Sequence, residues 1–306
     1  MTKVKDIVER LRQDFPEDIA SKGDPVGMQI GSMDADVTKV MTTLDVRPQV
    51  IEEAVKKGVN FIVSHHPVMF RPARNLDFAN AQNAMYGNII KNGITVYSIH
   101  TNSDKAQNGS AVWQAEELGL KDVEPFCLDD DGIAMGRKGK LPKTMSAYDF
   151  ASHEKAVKAV EKILNDYETT QGNQCYVHHT EDDRWDLETI DGGAEITIQK
   201  DKVKLNKNDT IVYVLSTVGF ICGDGGKYWT RALDDNLDAF ITGDVYYHVG
   251  HDMISSGLTV VDPGHYTEKL FKYKVYDRLK KWNEENNWNV GVELSEVSTN
   301  PFQDLF

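Results

Sequence analysis

Cysteine is scarce in this chain. Its 306 residues hold three. Cys127, Cys175 and Cys222 form no Cys-x-x-Cys pair and suggest no disulfide framework, so a reducing, cytoplasmic setting is the expectation. Long apolar runs are missing too. None reaches the ~18 residues of a membrane-spanning helix, so no membrane role is expected. The opening Met1-Thr2-Lys3-Val4-Lys5-Asp6 has no apolar core of a signal peptide, which argues against secretion. Positive charge is in deficit: 34 Lys plus Arg stand against 48 Asp plus Glu, a formal net charge of −14. Phosphate backbones and anionic lipid repel such a chain, so nucleic acid is not an expected partner. There is no serine-hydrolase elbow, no Gly-Lys-Ser/Thr phosphate loop and no basic stretch interleaved with aromatics.

What is present is enough apolar residue, 40% of the chain, for a packed core. The length suits one large or two modest domains. Val4, Ile7, Val8, Leu11 and Phe15 recur at helical spacing and predict an opening helix. Residues 37–44 read as a strand. Pro48 in a first helical turn and Gly58 as a stop bracket a helix. Residues 59–63 form a short buried strand, about 78–91 a helix closed by Gly93, 94–99 a strand, and 111–118 a helix stopped by Gly119. Around 125–143 the texture changes, with a turn at Asp129-Asp130-Asp131-Gly132. A helix is expected over 147–164, then short strands and turns over 174–214. The strand–helix rhythm returns at 211–215, 239–241 and 258–261, followed by a helix over 268–283 and a strand over 290–297. Alternation of this kind predicts an α/β fold of two lobes with mostly parallel strands. The expected division is 1–125 and 126–306, with a strand-rich insertion at about 172–208 in the second lobe.

Chemistry-bearing residues collect just after apolar runs. Ser64-His65-His66-Pro67 follows one, His100-Thr101-Asn102-Ser103-Asp104 a second, and Asp262-Pro263-Gly264-His265-Tyr266-Thr267-Glu268 a third. In parallel α/β sheets, ligands gather at the C-terminal ends of strands. His65 and His66 sit where a strand ends, so both rings can turn to one cavity and serve different ions. Asp104 offers two oxygens and can bridge two ions. His265 and Glu268, three apart, share a helical face. Singly, each has a commoner role: a polar loop, a helix N-cap at Asp104, a turn at Gly264-His265, a first-turn charge at Glu268. Together they predict a metal site with ligands His65, His66, Asp104, His265 and Glu268. That donor set suits two divalent ions such as Zn, Mn or Fe. Gly223-Asp224-Gly225-Gly226-Lys227 reads as a tight turn before a helix rather than a phosphate cradle. His178-His179 reads as a solvated loop. His248 and His251 are candidates to line the cavity, and Tyr246, Tyr247 and Trp229 to pack or make subunit contacts.

Taken in order, these motifs, with Thr242-Gly243-Asp244 and the glycine-rich Gly223–Tyr228 loop, resemble the NIF-three-like family, whose common label is GTP cyclohydrolase I type 2 homolog. The resemblance covers roughly 4–122 and 211–279. It implies two α/β lobes with a dinuclear metal centre between them, the same five ligands, and a ring-shaped homo-hexamer. Many members carry an extra mid-chain domain, for which 172–208 is too short. The chain departs from the family at Gly243-Asp244, where Gly-Glu is usual, and after Asp104, where a second glycine is common. Neither departure falls on a proposed ligand.

Two functions follow as expectations. One is a metal-dependent hydrolase of an unidentified small molecule, with a nucleotide suggested by the family label and His100 as acid, base or extra ligand. Arg71 and Lys227 are the candidates to attract an anionic substrate. The other is a non-catalytic metal-binding or metal-delivery protein, or an oligomeric scaffold. An incomplete ligand set leans toward chemistry, because catalytic sites keep an open position.

Overall fold

The computed structural model describes residues 1–145, 175–179, 185–189, 195–197, 203–205, 211–213 and 215–302. The helix expected over 147–164 lies outside them. Two compact units emerge, one of Met1–Ser110 with Lys269–Gln303, the other mainly Ala111–Glu268. This differs from a division at 125. The 121–145 stretch is a hairpin inside the second unit, and the chain returns to the first unit for its last helix and strand.

In the first unit a five-stranded sheet runs in the order Gly27–Ile30, Thr95–Ser98, Phe61–Ser64, Lys39–Thr43, Gly291–Leu294. Only Gly27–Ile30 is antiparallel to its neighbour. The central strands are buried throughout, as expected for parallel strands covered on both faces. The helix Val4–Asp14 buries Val4, Ile7, Val8 and Leu11. Pro48 opens the helix Pro48–Lys57, and Gly58 closes it at φ +69, a left-handed cap that glycine takes without a Cβ clash. Asn80 caps Ala81–Lys91 by accepting from Gln82 N and Asn83 N. Ile51, Ala54, Ile62, Ile89 and Val96 meet in one core between these helices and the sheet.

The second unit carries a mixed sheet in the order Thr259–Val261, Ala239–Gly243, Leu215–Asp224, Ala134–Met145, Lys121–Leu128. The first three strands are parallel and the last two antiparallel. The strand expected at 211–215 is two: Ile211–Tyr213, paired with Val203–Leu205, and the ten-residue Leu215–Asp224. The short strands expected after residue 174 include the three-stranded antiparallel ladder Cys175–His179, Trp185–Thr189, Glu195–Thr197. Cys127 and Cys222 are buried, and neither is in a disulfide. No helix among the described residues is long and apolar enough to cross a membrane.

The last strand is tied down where it leaves the first sheet. Ser295 Oγ donates to Glu53 Oε2 at 2.7 Å, Glu296 N donates to Glu53 Oε1 at 3.0 Å, and the Lys57 ammonium lies 2.8 Å from that carboxylate. Burial opposes charge on Glu53, but these hydrogen bonds outweigh it and hold its carboxyl below the ordinary 4.5. A depressed carboxyl stabilises the fold above its unfolded value and loses that contribution as pH falls through its folded value. The prediction is that Glu53→Gln lowers the thermal midpoint at pH 7, and that the gap to wild type narrows below pH 4.5. Melting both proteins across pH 3–7 checks this, and a gap that widens on acidification would refute it.

Candidate metal centre

Strand register builds a candidate site within the first unit. Thr43 pairs with Ser64, and Ser64 with Ser98, so three adjacent parallel strands end level. Two residues beyond that row stand Asp45, His66 and His100. The ladder carries on past the strands: His66 N donates to Leu44 O at 3.0 Å, and Ile99 N to Ser64 O at 3.0 Å. Ser64 and Ser98 hydroxyls bond each other at 2.8 Å beneath the histidines.

Each ring is then fixed through Nδ1. His65 is fully buried, with Nδ1 3.1 Å from Ile99 O and 3.3 Å from Ser103 Oγ. His66 Nδ1 lies 2.7 Å from Asp45 Oδ1, while Thr299 Oγ1 donates to Asp45 Oδ2 at 2.5 Å. His100 Nδ1 lies 2.9 and 3.0 Å from the two Asp24 oxygens, and Thr101 donates to Asp24 Oδ2 through its backbone N at 3.1 Å and its hydroxyl at 2.5 Å. Burial works against charge on both Asp24 and Asp45. Their hydrogen bonds, first those from His100 and His66, prevail and hold both carboxyls below the usual range. Ionised carboxylates and carbonyls only accept, so each Nδ1 carries a proton, and in the neutral ring the lone pair is then on Nε2. This is the arrangement that orients imidazoles toward a metal.

The three rings cluster, with centroids 4.9 Å apart for His65–His66, 5.0 Å for His65–His100 and 5.3 Å for His66–His100. One ligand atom from each falls within 4.8 Å of the others, so the trio can hold a metal ion. Asp104 lies on the short helix Thr101–Lys105, with Oδ1 3.8 Å from His65 Nε2. The N-cap of that helix is His100, so Asp104 does not have the capping role common at such positions.

The second unit carries a polar group of its own. His265–Lys269 is a 3-10 turn, in which residues three apart eclipse. His265 Nε2 accordingly lies 3.0 Å from Oε2 of the buried Glu268. His265 Nδ1 lies 2.6 Å from Asp244 Oδ2. Asp244 sits just past the strand Ala239–Gly243 at φ +54, a left-handed conformation that aspartate tolerates better than most residues. The departure at Gly243-Asp244 therefore touches the site after all, as the carboxylate that orients His265. An Nε2 lone pair facing a carboxylate oxygen is favourable only with a cation between them, a proton or a metal ion, so this pair also fits a metal-binding role.

Asp262 plays a different part. It accepts from Val245 N and Gly264 N, both at 2.9 Å, and shapes the loop that carries His265. Burial pushes its carboxyl up. The glycine-rich segment is the tight turn expected before the helix Trp229–Asp234. Thr242 Oγ1 donates to Gly223 O at 3.0 Å and accepts from Gly225 N at 2.8 Å, pinning this turn to the neighbouring strand. Gly223 has φ +56, and a Cβ there would lie 2.6 Å from Glu268 Oε1. His248 and His251 are exposed on the helix Tyr247–Ser256, with their rings against Tyr247 at 5.4 and 4.7 Å. The side chains of His178 and His179 lie outside the described residues.

A model of the Duf34/NIF3 (NGG1p interacting factor 3) family matches residues 2–172 and 194–301. The chain belongs to this family. A Lactococcus lactis protein named GTP cyclohydrolase 1 type 2 homolog is 32% identical over 306 residues, covering 99% of this chain and all of that protein. A Streptococcus pneumoniae protein of the same name is 31% identical, with 98% of each chain covered. Among solved structures, Staphylococcus aureus protein SA1388 has the same fold, with TM-score 0.78, 22% identity and 99% of each chain covered. A Bacillus cereus protein related to NIF3 gives a TM-score of 0.70 at 24% identity, with 99% of each chain covered.

Sequence reasoning missed Asp24 and Asp45. Asp45 ends its strand as His66 and His100 end theirs, so the same strand-end rule marks it. Asp24 lies in Lys22-Gly23-Asp24-Pro25, which reads only as a turn.

Two variants test these supports. Asp45→Asn is expected to weaken metal binding about 10–100-fold with the fold retained, the usual effect of losing a group that orients a ligand. Gly223→Ala is expected to displace Glu268 and lower metal content while the far-ultraviolet circular dichroism stays unchanged. Metal titration with a chromophoric chelator measures both. Wild-type affinity in both variants would contradict the assigned roles.

Proposed function

We propose that the chain is a metal-dependent hydrolase whose centre takes two divalent ions. The proposed ligands are His65, His66, Asp104, His265 and Glu268. The observation that carries the reading is the converging trio of histidines, each anchored through Nδ1. Such a network is elaborate for a packing role, and the Nε2 atoms on the far side of each ring from its anchor suit Zn, Mn or Fe. When bound, a pair of such ions activates water and polarises a substrate oxygen.

His100 is the proposed proton carrier. Asp24 holds its Nδ1–H and stabilises positive charge on the ring, so Nε2 can take a proton from the attacking group and return it to the leaving group. Asp104 would supply carboxylate oxygens to the metal. The relatives' name makes a nucleotide the first substrate class to screen. Self-association into a homo-hexamer belongs to the same proposal, and the exposed Tyr246 and Tyr247 support it as a contact surface.

The experiment is metal analysis of the reconstituted protein together with a hydrolysis screen of nucleotides, phosphoesters and peptides. Wild type is expected to bind two ions per chain, and His65→Ala fewer. His100→Ala is expected to keep its metal and lose about 100-fold or more in turnover, the scale of a general acid–base group. Full metal loading with no turnover across the screen would reject the hydrolase and favour a metal-binding or metal-delivery protein. In parallel, light scattering of wild type and the Tyr246→Ala/Tyr247→Ala double variant checks assembly; a monomeric wild type refutes the hexamer.

A further inference from the structure

The segment leaving His66 carries an unexplained surface. Phe70, Leu76 and Phe78 are 62%, 51% and 60% exposed, three large apolar side chains within residues 70–78. Single exposed apolar residues are ordinary, but three in one loop that reaches a candidate site through Phe70 mark a contact surface. Phe70 meets the site directly: its ring stands nearly perpendicular to His100, with centroids 6.4 Å apart.

The stem beneath Phe70 is firmly held. Val68 O accepts from Gln82 Nε2 at 3.2 Å and from the Tyr86 hydroxyl at 3.1 Å, and Met69 N donates to Gln29 Oε1 at 3.2 Å. The far end is held as well, where Asn83 Nδ2 donates to Asn75 Oδ1 and Asp77 O, both at 3.1 Å. Pro67 and Pro72 stiffen the segment further. An apolar ring presented to solvent on an anchored stem is preorganised for a partner, which lowers the ordering cost of binding.

Charge narrows the class of that partner. Arg71 and Arg74 are exposed, and neither makes an ion pair or side-chain hydrogen bond among the described residues. In a chain of net charge −14, two exposed arginines in the same short loop as Phe70 favour an anion. We propose that the 70–78 loop is a substrate-recognition element: Phe70 stacks on the planar aromatic part of an anionic small molecule, and Arg71 and Arg74 draw its negative group. The proposal rests on the hydrolase reading only in placing the reacting group at the histidines.

The test is calorimetric binding to the full-length, metal-loaded protein, with adenosine 5′-monophosphate, ribose 5-phosphate and adenosine as probes. Adenosine 5′-monophosphate is expected to bind about tenfold or more tightly than ribose 5-phosphate, the scale of base–aromatic stacking. Phe70→Ala should remove that advantage and Phe70→Tyr restore it, both with wild-type metal content. Arg71→Ala/Arg74→Ala should weaken both phosphates and leave adenosine unchanged. Equal binding of the two phosphates by wild type, or an advantage that survives in Phe70→Ala, overturns the proposal. So does a change of molar mass in Phe70→Ala with unchanged nucleotide binding, which would assign the ring to a second copy of the chain. Phosphoester hydrolysis without preference for the aromatic probe rejects the recognition loop and leaves the hydrolase standing. A preference lost in Phe70→Ala, with no turnover of any compound, does the reverse.

Discussion

The level register of three parallel strands is the constraint on which the histidine cluster of the first unit depends. Hydrogen bonding fixes Thr43, Ser64 and Ser98 in one row, and backbone bonds past that row reach His66 on one strand and Ile99 on the next. The backbone thus delivers Asp45, His66 and His100 side by side before any side chain interacts. A slip of one residue would turn each of these side chains to the opposite face of the sheet. The buried apolar strands therefore set the site's geometry as well as the core.

The carboxylates convert that placement into chemistry. Nδ1 of an imidazole is near the backbone and Nε2 is at the tip, so an acceptor at Nδ1 fixes both the tautomer and the aim of the ring. Four histidines use this device with three kinds of support: a carbonyl for His65, half-buried carboxylates for His66 and His100, and a left-handed aspartate for His265. The hydroxyls of Thr101 and Thr299 hold two of those carboxylates in turn. Donors of this kind are preorganised, which is what distinguishes a binding site from a chance group of polar residues.

Much of this was legible in the sequence because strong local signals coincide there. Short apolar runs, left-handed glycine stops at Gly58 and Gly93, and histidines placed just past the runs identify parallel strands and their chemically active ends. Contacts between distant residues were not legible. Asp24 meets His100 across 76 residues of chain and Thr299 meets Asp45 across 254, and no local pattern reports either. The edge strand Gly27–Ile30 is short and half-buried at its centre, so it has neither the continuous apolar run nor the alternation that marks a strand. Periodicity found the strand near residue 290 but could not say which sheet takes it. Backbone conformation was equally hidden: at Gly243-Asp244 the left-handed turn, rather than the residue type alone, lets the aspartate reach His265.

The discontinuity of the first unit has a temporal meaning. Its opening segment ends at Ser110, but the edge strand Gly291–Leu294 and the hydroxyl of Thr299 come from beyond the whole second unit. At ~5–20 residues per second, synthesis reaches Thr299 on the order of ten seconds or more after Ser110. During that interval the strand Lys39–Thr43 has an open edge and Asp45 lacks its threonine. The nascent chain thus displays its histidines before it can hold them in their final aim, and the ribosome sets the earliest moment at which the site can be finished.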